Sequence, residues 1–303
     1  MNYVITGYTG FLGSALRDVI LAANSEDGIY AVCRKRHQGQ MTFPERVTPV
    51  WAEMEEYAAL HQFVPHADVF IHCSWGGAEH ARRDERDVHQ LNVQYSLDAI
   101  RAAAQMGCKV FVETGSQAEY GATNEQQTED MECNPFSEYG KAKLDMWQQG
   151  KQLAEQLGMR YIHLRIFSMY GAKDHPWSMI MQCLQKMQTN ERIELSACTQ
   201  NWNYVYVDDA AKMILGLCNA YMQQPDIPSG IYNIASEDTR PLKEFVEEMR
   251  AFTRTQSEIE YGAFKPQTVV VLQPSIEKIK KYVTTNFIPF GIGIQNVKKI
   301  LTL

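Results

Sequence analysis

The sequence predicts an α/β fold with a doubly wound parallel sheet, in which helices cover both faces of the sheet. Short apolar runs alternate with amphipathic stretches through the first half of the 303 residues, as expected for strands and helices that repeat along such a sheet. The first apolar run also leads directly into three glycines, Gly7, Gly10 and Gly13. Glycines at this position are typical of the tight turn between the first strand and the first helix of a doubly wound fold.

The apolar runs in the first half predict six strands, and the amphipathic stretches predict three helices. The strands are expected at residues 3–6, 30–33, 47–51, 69–72, 109–113 and 160–165. The helices are expected at residues 11–23, 87–106 and 139–157. Ligands of such folds bind at the carboxyl ends of the strands, so site residues are expected in the segments that follow the strands.

The second half departs from this regular alternation after about residue 170. Helices are expected at residues 175–190, 208–221 and 242–252, strands at 191–196, 203–207 and 230–235, and a proline-containing loop at 223–230. We therefore expect residues 1–170 to form one domain, to which part of the chain near 200–235 returns. Residues 171–303 are expected to form mainly a smaller α/β lobe that closes over the crevice.

The composition excludes several classes of partner. The net charge of −7 leaves no basic surface for nucleic acid. The seven cysteines are scattered, with no Cys-x-x-Cys pair and no histidine cluster beside them, which favours reduced thiols over disulfides or a metal site. No charged leader precedes the first strand, and no apolar run reaches the roughly 18 residues of a membrane span. We therefore expect a cytoplasmic protein with no membrane partner, no nucleic-acid partner and no metal.

The glycine-rich segment predicts a Rossmann dinucleotide site. Gly7, Gly10 and Gly13 have the spacing Gly-x-x-Gly-x-x-Gly and lie between a predicted strand and a predicted helix, which is the context that this motif requires. The glycines allow the backbone to approach a pyrophosphate, and the helix that begins at Phe11 and Leu12 supplies free N–H groups. The alternative is a tight strand-to-helix turn without a ligand.

The residues after the second strand favour NADP(H) as the dinucleotide, with NAD(H) as the alternative. NAD-selective proteins usually carry Asp or Glu here to hold the ribose 2′-hydroxyl. This chain instead has Arg34, Lys35 and Arg36. Because a guanidinium matches the geometry of a phosphate, we expect Arg34 to be the main contact of the 2′-phosphate, with Lys35 beside it. The alternative is a basic turn exposed to solvent.

Tyr139 and Lys143 form the candidate catalytic pair. A ketone that accepts a hydride becomes an alkoxide, which needs a proton and a hydrogen-bond donor. Tyr139 can donate that proton, and Lys143 follows one helical turn later on the same face, where its positive charge favours the ionised phenol. Because Tyr-x-x-x-Lys is common by chance, the alternative is an ordinary amphipathic helix with an exposed tyrosine.

Together these motifs resemble the extended short-chain dehydrogenase/reductases, the NAD(P)-dependent epimerase/dehydratase family, which acts mostly on nucleotide sugars. The resemblance extends from residue 3 to about residue 250 and includes Thr-Gly-Ser-Gln-Ala-Glu-Tyr-Gly at 114–121 and Leu-Arg-Ile-Phe-Ser-Met-Tyr-Gly at 164–171. It implies that Ser116 holds the reacting oxygen by a hydrogen bond and that Lys143 also binds the nicotinamide ribose. It further implies a homodimer that pairs through the helices at 87–106 and 139–157.

The resemblance also implies further contacts to the two ligands. Additional cofactor contacts are expected at Glu53, Met54, Cys73, Ser74, Asn92 and Ile166. Substrate contacts, partly from the smaller lobe, are expected at Trp75, Gln117, Ser168, Ser178, Gln200 and Trp202. Two of these positions depart from the family's pattern, because Ser168 replaces the usual asparagine and Trp202 replaces the usual arginine.

The departures from the family's patterns favour one reaction. A 4,6-dehydratase needs an acid pair after its catalytic hydroxyl, whereas Gln117 and Ala118 follow Ser116 here. A 4-epimerase that retains NAD usually carries an acid after the second strand, where this chain has Arg34. We therefore expect an NADPH-dependent reductase of the 4-keto group of a nucleotide-activated (6-deoxy) hexose, with Tyr139 as proton donor. The alternatives are an NAD-retaining nucleotide-sugar 4-epimerase and a non-catalytic dinucleotide-binding regulator.

Overall fold

The computed structural model describes residues 1–266 and 268–301 of the chain. In the first part, strands and helices alternate close to their expected positions. These elements are β1 (Asn2–Thr6), α1 (Phe11–Ala23), β2 (Gly28–Cys33), β3 (Val47–Trp51), β4 (Val69–His72), α2 (Arg86–Gln105), β5 (Val110–Ser116), α3 (Glu138–Gln156) and β6 (Arg160–Ile166). α1 begins directly after the glycine-rich segment, and α3 begins one residue before Tyr139.

The second part is less regular and contains more elements than the sequence predicts. Its elements are β7 (Ser168–Tyr170), α4 (Met179–Thr189), β8 (Ile193–Leu195), β9 (Asn201–Tyr206), α5 (Val207–Gln223), β10 (Gly230–Ile234), β11 (Thr239–Pro241), α6 (Leu242–Thr253), β12 (Ile259–Tyr261) and α7 (Phe290–Leu301). The helix expected at 175–190 begins only at Met179, because the Ser178 hydroxyl accepts the N–H of Met181 and caps the helix there. The sequence did not predict β7, β11, β12 or α7.

Seven parallel strands form the central sheet, in the order β10-β6-β5-β4-β1-β2-β3. The connections reverse direction between β1 and β4, which leaves a crevice between the loops at the carboxyl ends of these two strands. β10 comes from the segment near 200–235 and forms one edge of the sheet. The predicted fold class, a doubly wound parallel Rossmann sheet, is therefore confirmed.

Helices cover both faces of this sheet, with a separate apolar core on each face. In β1, Tyr3 and Ile5 pack into the core under α1 and α5, whereas Val4 packs into the core under α2 and α3. All three side chains are fully buried, as expected for a strand in the middle of a parallel sheet. Because burying one such side chain contributes about 1.5–3 kcal/mol to stability, the two cores hold the strand ends around the crevice firmly in place.

The smaller part of the structure contains a three-stranded sheet, in the order β11-β9-β7, and a two-stranded sheet of β12 and β8. Helices α4, α6 and α7 contribute with these strands to a third apolar core. Between β12 and α7, residues 271–275 return to the larger part. There Gln127 Nε2 donates to the carbonyl of Val271 at 2.8 Å, and Asn233 Nδ2 donates to the carbonyl of Ser275 at 3.0 Å.

Packing and hydrogen bonds hold the described part of the fold together. All seven cysteines are free thiols. Residues 1–266 and 268–301 contain no group of three or more His, Cys, Asp or Glu side chains that could hold a metal ion. Within the same ranges, none of the helices has the length and apolar character needed to cross a membrane.

Candidate active site

A cavity of about 580 Å³ opens at the carboxyl ends of the central strands. This volume is in the range of sites that bind small organic ligands. Most of the residues that the sequence placed in the cofactor, catalytic or substrate sites line the cavity. They are Gly7, Gly10, Phe11, Leu12, Arg34, Met54, Cys73, Ser74, Trp75, Ser116, Gln117, Tyr139, Lys143, Ile166 and Ser168. The structure therefore brings residues from the ends of six strands, β1 to β6, into one site.

The other expected site residues lie outside the lining of the cavity. They are Gly13, Lys35, Glu53, Asn92, Ser178, Gln200 and Trp202. Asn92 lies behind the wall, where its side-chain amide exchanges two hydrogen bonds with the backbone of Gly76. Ser178 caps α4 and donates to the carboxylate of Asp174 at 2.7 Å. Both residues therefore support segments that line the cavity.

Gln200 lies directly before β9 and Trp202 is the second residue of β9, in the smaller part. Trp202 is opposite Arg240 of β11, and its ring packs against two of the apolar cores. The carbonyl of Gln200 accepts the N–H of Leu242. Both residues thus serve the packing of the smaller part, and a substrate contact by either one stays a prediction.

The glycine-rich loop brings the backbone to the wall of the cavity. Gly7 has a φ of 65°, and a Cβ there would lie 3.0 Å from the carbonyl oxygen of Cys73. At Gly13, a Cβ would lie only 2.2 Å from the carbonyl oxygen of Gly7, so α1 can pack this close to the loop only with glycine. Gly10 is the N-cap of α1 and has no side chain to bond the first N–H groups, which leaves them available to an anion. The loop therefore fits a pyrophosphate.

A buried polar network joins this loop to the neighbouring strand. The hydroxyl of Thr6, at the end of β1, accepts the N–H groups of Cys73 and Ser74 at 3.1 and 3.3 Å. The same hydroxyl bonds to Nδ1 of His72 at 2.8 Å, and Nε2 of His72 bonds to the Ser96 hydroxyl at 3.0 Å. Burial lowers the pKa of His72 to about 3. The neutral ring therefore links β1, β4 and α2 without adding charge next to the cavity.

The end of the cavity beside β2 presents positive charge. Arg34 and Arg36 line it. Lys35 is directed instead to the carboxylate of Glu56, with which it forms an ion pair. Glu53, which was expected to contact the cofactor, accepts the backbone N–H of Lys35 at 3.0 Å. Two arginines of this turn therefore line the cavity, while the carboxylates of Glu53 and Glu56, from the segment after β3, bind Lys35.

Tyr139 reaches the cavity from the first turn of α3. Ser137 caps this helix by accepting the N–H of Gly140 at 3.1 Å. A Cβ at Gly140 would lie 2.5 Å from the carbonyl oxygen of Ala118, so glycine allows α3 to approach the turn that follows Ser116. Because of this close approach, the side chains of Tyr139 and Ser116 line the same cavity.

The ammonium group of Lys143 is buried among three groups. It donates to the carbonyl oxygen of Thr114 at 2.5 Å and lies 3.5 Å from the ring centre of Trp75. One carboxylate oxygen of Glu113 is 3.6 Å away. The ring centre of Tyr139 is 6.0 Å from the same nitrogen. The lysine is therefore close to the phenol, although its nearest partners are other groups.

Ser116 ends β5 and begins a short 3₁₀ turn at Gln117–Glu119. Its hydroxyl oxygen accepts the N–H of Ala118 at 3.1 Å, so its own hydrogen can be donated to a ligand. Its backbone N–H donates to Glu119, which also pairs with His163 at 2.9 Å and Arg165 at 2.8 Å. Burial alone would raise the pKa of Glu119, but His163 and Arg165 hold it below its ordinary value. The carboxylate that anchors this turn therefore stays charged.

The structure adds residues that the sequence analysis missed. Arg83 lines the cavity with its guanidinium 4.9 Å from the ring centre of Tyr139, and its carbonyl accepts the N–H of Tyr139. Asp174 and His175 line the cavity from the segment after β7. Glu113 lies behind the wall and is fully buried. Only Glu113 had a sequence signal, because it is a charged residue directly after the apolar run Val-Phe-Val.

Residues 3–235 match the model of the NAD dependent epimerase/dehydratase family. The chain belongs to this family. The matched span contains the glycine-rich loop, the serine after β5 and the Tyr-x-x-x-Lys pair of α3. As a member of a family of enzymes, the protein is an enzyme, and both the expected family and the expectation of catalysis are confirmed.

Three similar proteins differ in what their names say they do. CDP-abequose synthase of Salmonella muenchen is 21% identical over 267 residues, which are 86% of this chain and 83% of that protein. Methionine adenosyltransferase 2 subunit beta of Rattus norvegicus is 25% identical over 304 residues, 96% of this chain and 85% of that protein. The structure of UDP-glucuronic acid 4-epimerase of Bacillus cereus, in complex with UDP-glucuronic acid and NAD, has a TM-score of 0.86 at 16% identity and covers 100% of this chain and 99% of that one. At this identity the structural match establishes the shared fold.

Proposed function

We propose that this family member is an NADPH-dependent reductase of the 4-keto group of a nucleotide-activated (6-deoxy) hexose. The turn after β2 carries this proposal, because Arg34 lines the cavity there while Glu53 and Glu56 are bonded to the neighbouring lysine. A guanidinium at this position suits a 2′-phosphate, whereas a carboxylate would suit the ribose 2′-hydroxyl of NAD. NADPH serves as a consumed reductant, which fits a reductase better than an epimerase that regenerates its cofactor.

Ser116, Tyr139 and Lys143 would supply the acid chemistry of the reaction. The bound dinucleotide would supply the hydride. The Ser116 hydroxyl would donate a hydrogen bond to the keto oxygen, and the Tyr139 phenol would give its proton to this oxygen as it becomes an alkoxide. The buried ammonium of Lys143 would stabilise the phenolate that remains. A positioned proton donor of this kind contributes roughly 100-fold to 10,000-fold to a reaction rate.

The catalytic part of the cavity supports a sugar as the reacting group. Trp75, Gln117 and Ser168 line it, and an aromatic ring with nearby polar side chains is suited to a ring with hydroxyl groups. Gln117 follows the catalytic serine where a dehydratase would carry an acid. A relative named CDP-abequose synthase supports a nucleotide-linked sugar as the substrate class.

Two other functions each have one observation in their favour. The solved structure with a TM-score of 0.86 is a 4-epimerase in complex with NAD, which supports an NAD-retaining 4-epimerase. The second is the non-catalytic dinucleotide-binding regulator, since one relative is by its name a subunit of methionine adenosyltransferase and not a nucleotide-sugar enzyme. We favour catalysis over this second role because Ser116, Tyr139 and Lys143 all line the cavity.

The direct test offers the purified protein NADPH together with 4-keto-6-deoxyhexoses linked to CDP, dTDP, GDP or UDP. We expect nicotinamide oxidation that matches the amount of 4-hydroxy sugar formed, and loss of this activity in Tyr139→Phe. Interconversion of 4-hydroxyl epimers without net oxidation of NADPH would identify the 4-epimerase instead. Tight dinucleotide binding with no turnover of either substrate class would favour the non-catalytic role.

We also propose that the protein forms a homodimer through α2 and α3. The two helices pack side by side. Leu91 of α2 is 51% exposed, and Leu157, directly after α3, is 42% exposed, so a partner helix pair would cover apolar surface there. Light scattering of the protein as it elutes from a size-exclusion column should give twice the monomer mass. Leu91→Glu should shift the measured mass toward that of the monomer. A wild-type monomer at micromolar concentration would contradict this proposal.

A further inference from the structure

Glu113 is a fully buried acid that the mechanism above does not use. Neither of its side-chain oxygens has a hydrogen-bond partner in the described part of the chain. Other buried acids are bonded, as Glu119 is to His163 and Arg165. Because burying a carboxyl group without hydrogen bonds is costly, such a group in a native structure requires an explanation.

The explanation lies in the position of Glu113 next to Lys143. The separation of 3.6 Å is short enough for an ion pair but exceeds the roughly 2.7–2.9 Å of a charge-assisted hydrogen bond. The hydrogen bond of the ammonium goes to Thr114, and its other face lies on the ring of Trp75. Glu113 therefore acts on the ammonium mainly by charge, and this attraction disappears when the carboxylate is protonated.

Among the groups around this pair, Glu113 becomes the main counter-charge of Lys143 once its carboxyl is ionised. The titratable groups that face the pair are His72, Cys73, His89, Glu119, Tyr139 and Tyr161. Burial lowers the pKa values of His72 and His89 and raises those of Cys73 and Tyr161, so these four groups are neutral near pH 7. Glu119 is charged, but it is paired with Arg165 and hydrogen-bonded to His163.

We propose that Glu113 is a positioning residue that acts through Lys143. Its ionised carboxylate holds the ammonium against Thr114 and Trp75. Its neutral form releases the ammonium toward the phenol of Tyr139 and toward the bound dinucleotide. The inference rests on the proposed dinucleotide site, but it does not depend on which sugar is reduced.

The expected pH range follows from the burial of Glu113. Burial raises the pKa of this carboxyl to about 8, although the charge of Lys143 acts in the opposite direction. The carboxyl is therefore mostly neutral at pH 7 and ionised in mildly alkaline solution. Dinucleotide affinity and turnover should both decline as the carboxylate forms and retains the lysine.

The test is a double-mutant cycle of Glu113→Gln and Lys143→Met, with the affinities for NADPH and NADH followed by nicotinamide fluorescence between about pH 6 and about pH 9.5. Glutamine keeps the shape of the side chain but cannot ionise. Affinity of the wild type should fall by about threefold to tenfold above pH 8, whereas Glu113→Gln should retain its affinity. In the Lys143→Met background, Glu113→Gln should leave the pH dependence unchanged.

Further variants separate positioning from a structural role. Glu113→Asp keeps the charge and should restore the wild-type pH dependence, which a purely structural role would not predict. Glu113→Met repeats the neutral test with a side chain of similar volume, should Glu113→Gln fold poorly. The same pH dependence in the wild type and both neutral variants would overturn the inference.

The outcomes also distinguish this inference from the proposed function. An effect of Glu113→Gln that persists without Lys143 would overturn the inference alone. A wild-type protein that binds neither dinucleotide would overturn the inference and the proposed function together. The expected coupling without any reduction of 4-keto sugars would support the inference and overturn only the proposed reductase.

Discussion

The two ends of the cavity are built from different parts of the polypeptide. Beside β1, the backbone forms the wall, because Gly7 and Gly10 have no side chains and the N-terminus of α1 faces the cavity. Beside β5 and α3, buried side chains form the wall, with the ammonium of Lys143 set between the carbonyl of Thr114 and the carboxylate of Glu113. One end thus depends on close approach, and the other depends on the charges and protons of side chains.

This difference implies that the two ends are sensitive to different changes. Added volume should damage the glycine end, because the free N–H groups must stay within reach of a phosphate. A change of charge at constant shape should leave that end intact but should damage the catalytic end. Substitutions of each kind therefore separate phosphate binding at the glycine end from proton transfer at the catalytic end.

The largest effect is expected from Tyr139→Phe, which removes one oxygen from the catalytic end. The kcat should fall by about 100-fold or more, because the proton donor is lost. Dinucleotide affinity, measured by fluorescence titration, should change by less than about threefold, since the glycine end is untouched. Tyr95→Phe on α2 is the matched control and should behave like the wild type. Equal losses of kcat and affinity would mean that the two ends do not act separately.

Gly13→Ala at the glycine end should instead reduce dinucleotide affinity and stability, because it changes the loop that binds the phosphates. The added Cβ would lie 2.2 Å from the carbonyl oxygen of Gly7, so the loop must move away from α1. We expect a loss of about 2–3 kcal/mol in the free energy of unfolding, measured by urea denaturation. Dinucleotide affinity should fall by about tenfold or more.

Gly230→Ala in β10 provides the matched control for this loss. The nearest atom to an added Cβ at Gly230 is 3.5 Å away, which is ordinary van der Waals contact. This variant should therefore retain dinucleotide affinity. If Gly13→Ala bound the dinucleotide as tightly as Gly230→Ala, close approach of the backbone would not be what forms this end of the cavity.

The next largest effect is a dependence of the free energy of unfolding on pH, caused by Glu113 at the catalytic end. Burial raises its pKa from an ordinary value of 4.5 to about 8, so the folded protein keeps a proton that the unfolded chain releases in this range. Stability from this group is therefore complete below about pH 4.5 and is lost as the pH rises to about 8. The free energy of unfolding of Glu113→Gln, relative to that of the wild type, should therefore rise by about 2–4 kcal/mol as the pH increases from 5 to 8.5.

Urea denaturation at several pH values measures this gain. Glu119→Gln is the informative comparison, because that carboxylate is charged and paired in the fold. Glu119→Gln should destabilise the protein at neutral pH, since it leaves His163 and Arg165 without their partner. A free energy that has the same pH dependence in the wild type and in Glu113→Gln would contradict the assignment of a neutral buried carboxyl.

The smallest effect is expected from Arg34→Leu at the end of β2. Affinity for NADPH should fall by about tenfold, because one phosphate contact is lost, while affinity for NADH should stay within about twofold. Lys35→Leu is a matched control in the same turn, because Lys35 forms an ion pair with Glu56 outside the cavity. Equal losses in both variants would indicate a general field of positive charge instead of a specific contact by Arg34.

The spacing of residues along the chain predicts the geometry of the site wherever that geometry is local. The spacing of Gly7, Gly10 and Gly13 defines one turn, and Tyr139 and Lys143 are separated by one turn of helix, so the spacing alone indicates which groups lie together. The contact between Glu113 and Lys143 joins β5 to α3, which are distant in the chain. No local pattern reveals such a contact, because it depends on how the helix packs on the sheet.

The helix α7 was missed because its sequence disfavours a helix. It begins Phe-Gly-Ile-Gly-Ile, and glycine costs about 1 kcal/mol relative to alanine within a helix. In the fold these glycines allow close packing. A Cβ at Gly293 would lie 2.2 Å from the hydroxyl of Tyr170, and one at Gly291 would lie 2.0 Å from the ring of Phe252. Tertiary contact therefore outweighs the local preference of this segment.

The return of residues 271–275 to the larger part affects how the chain can fold during its synthesis. Gln273 donates its N–H to the side chain of Gln127 at 2.6 Å, across a sequence separation of 146 residues. Contacts between residues this far apart cannot form until most of the chain has left the ribosome. β10 also follows β6 only after many residues, so the edge of β6 that it covers is unpaired while translation continues. An open strand edge is prone to pair with other chains, so the risk of aggregation is greatest before β10 has been made.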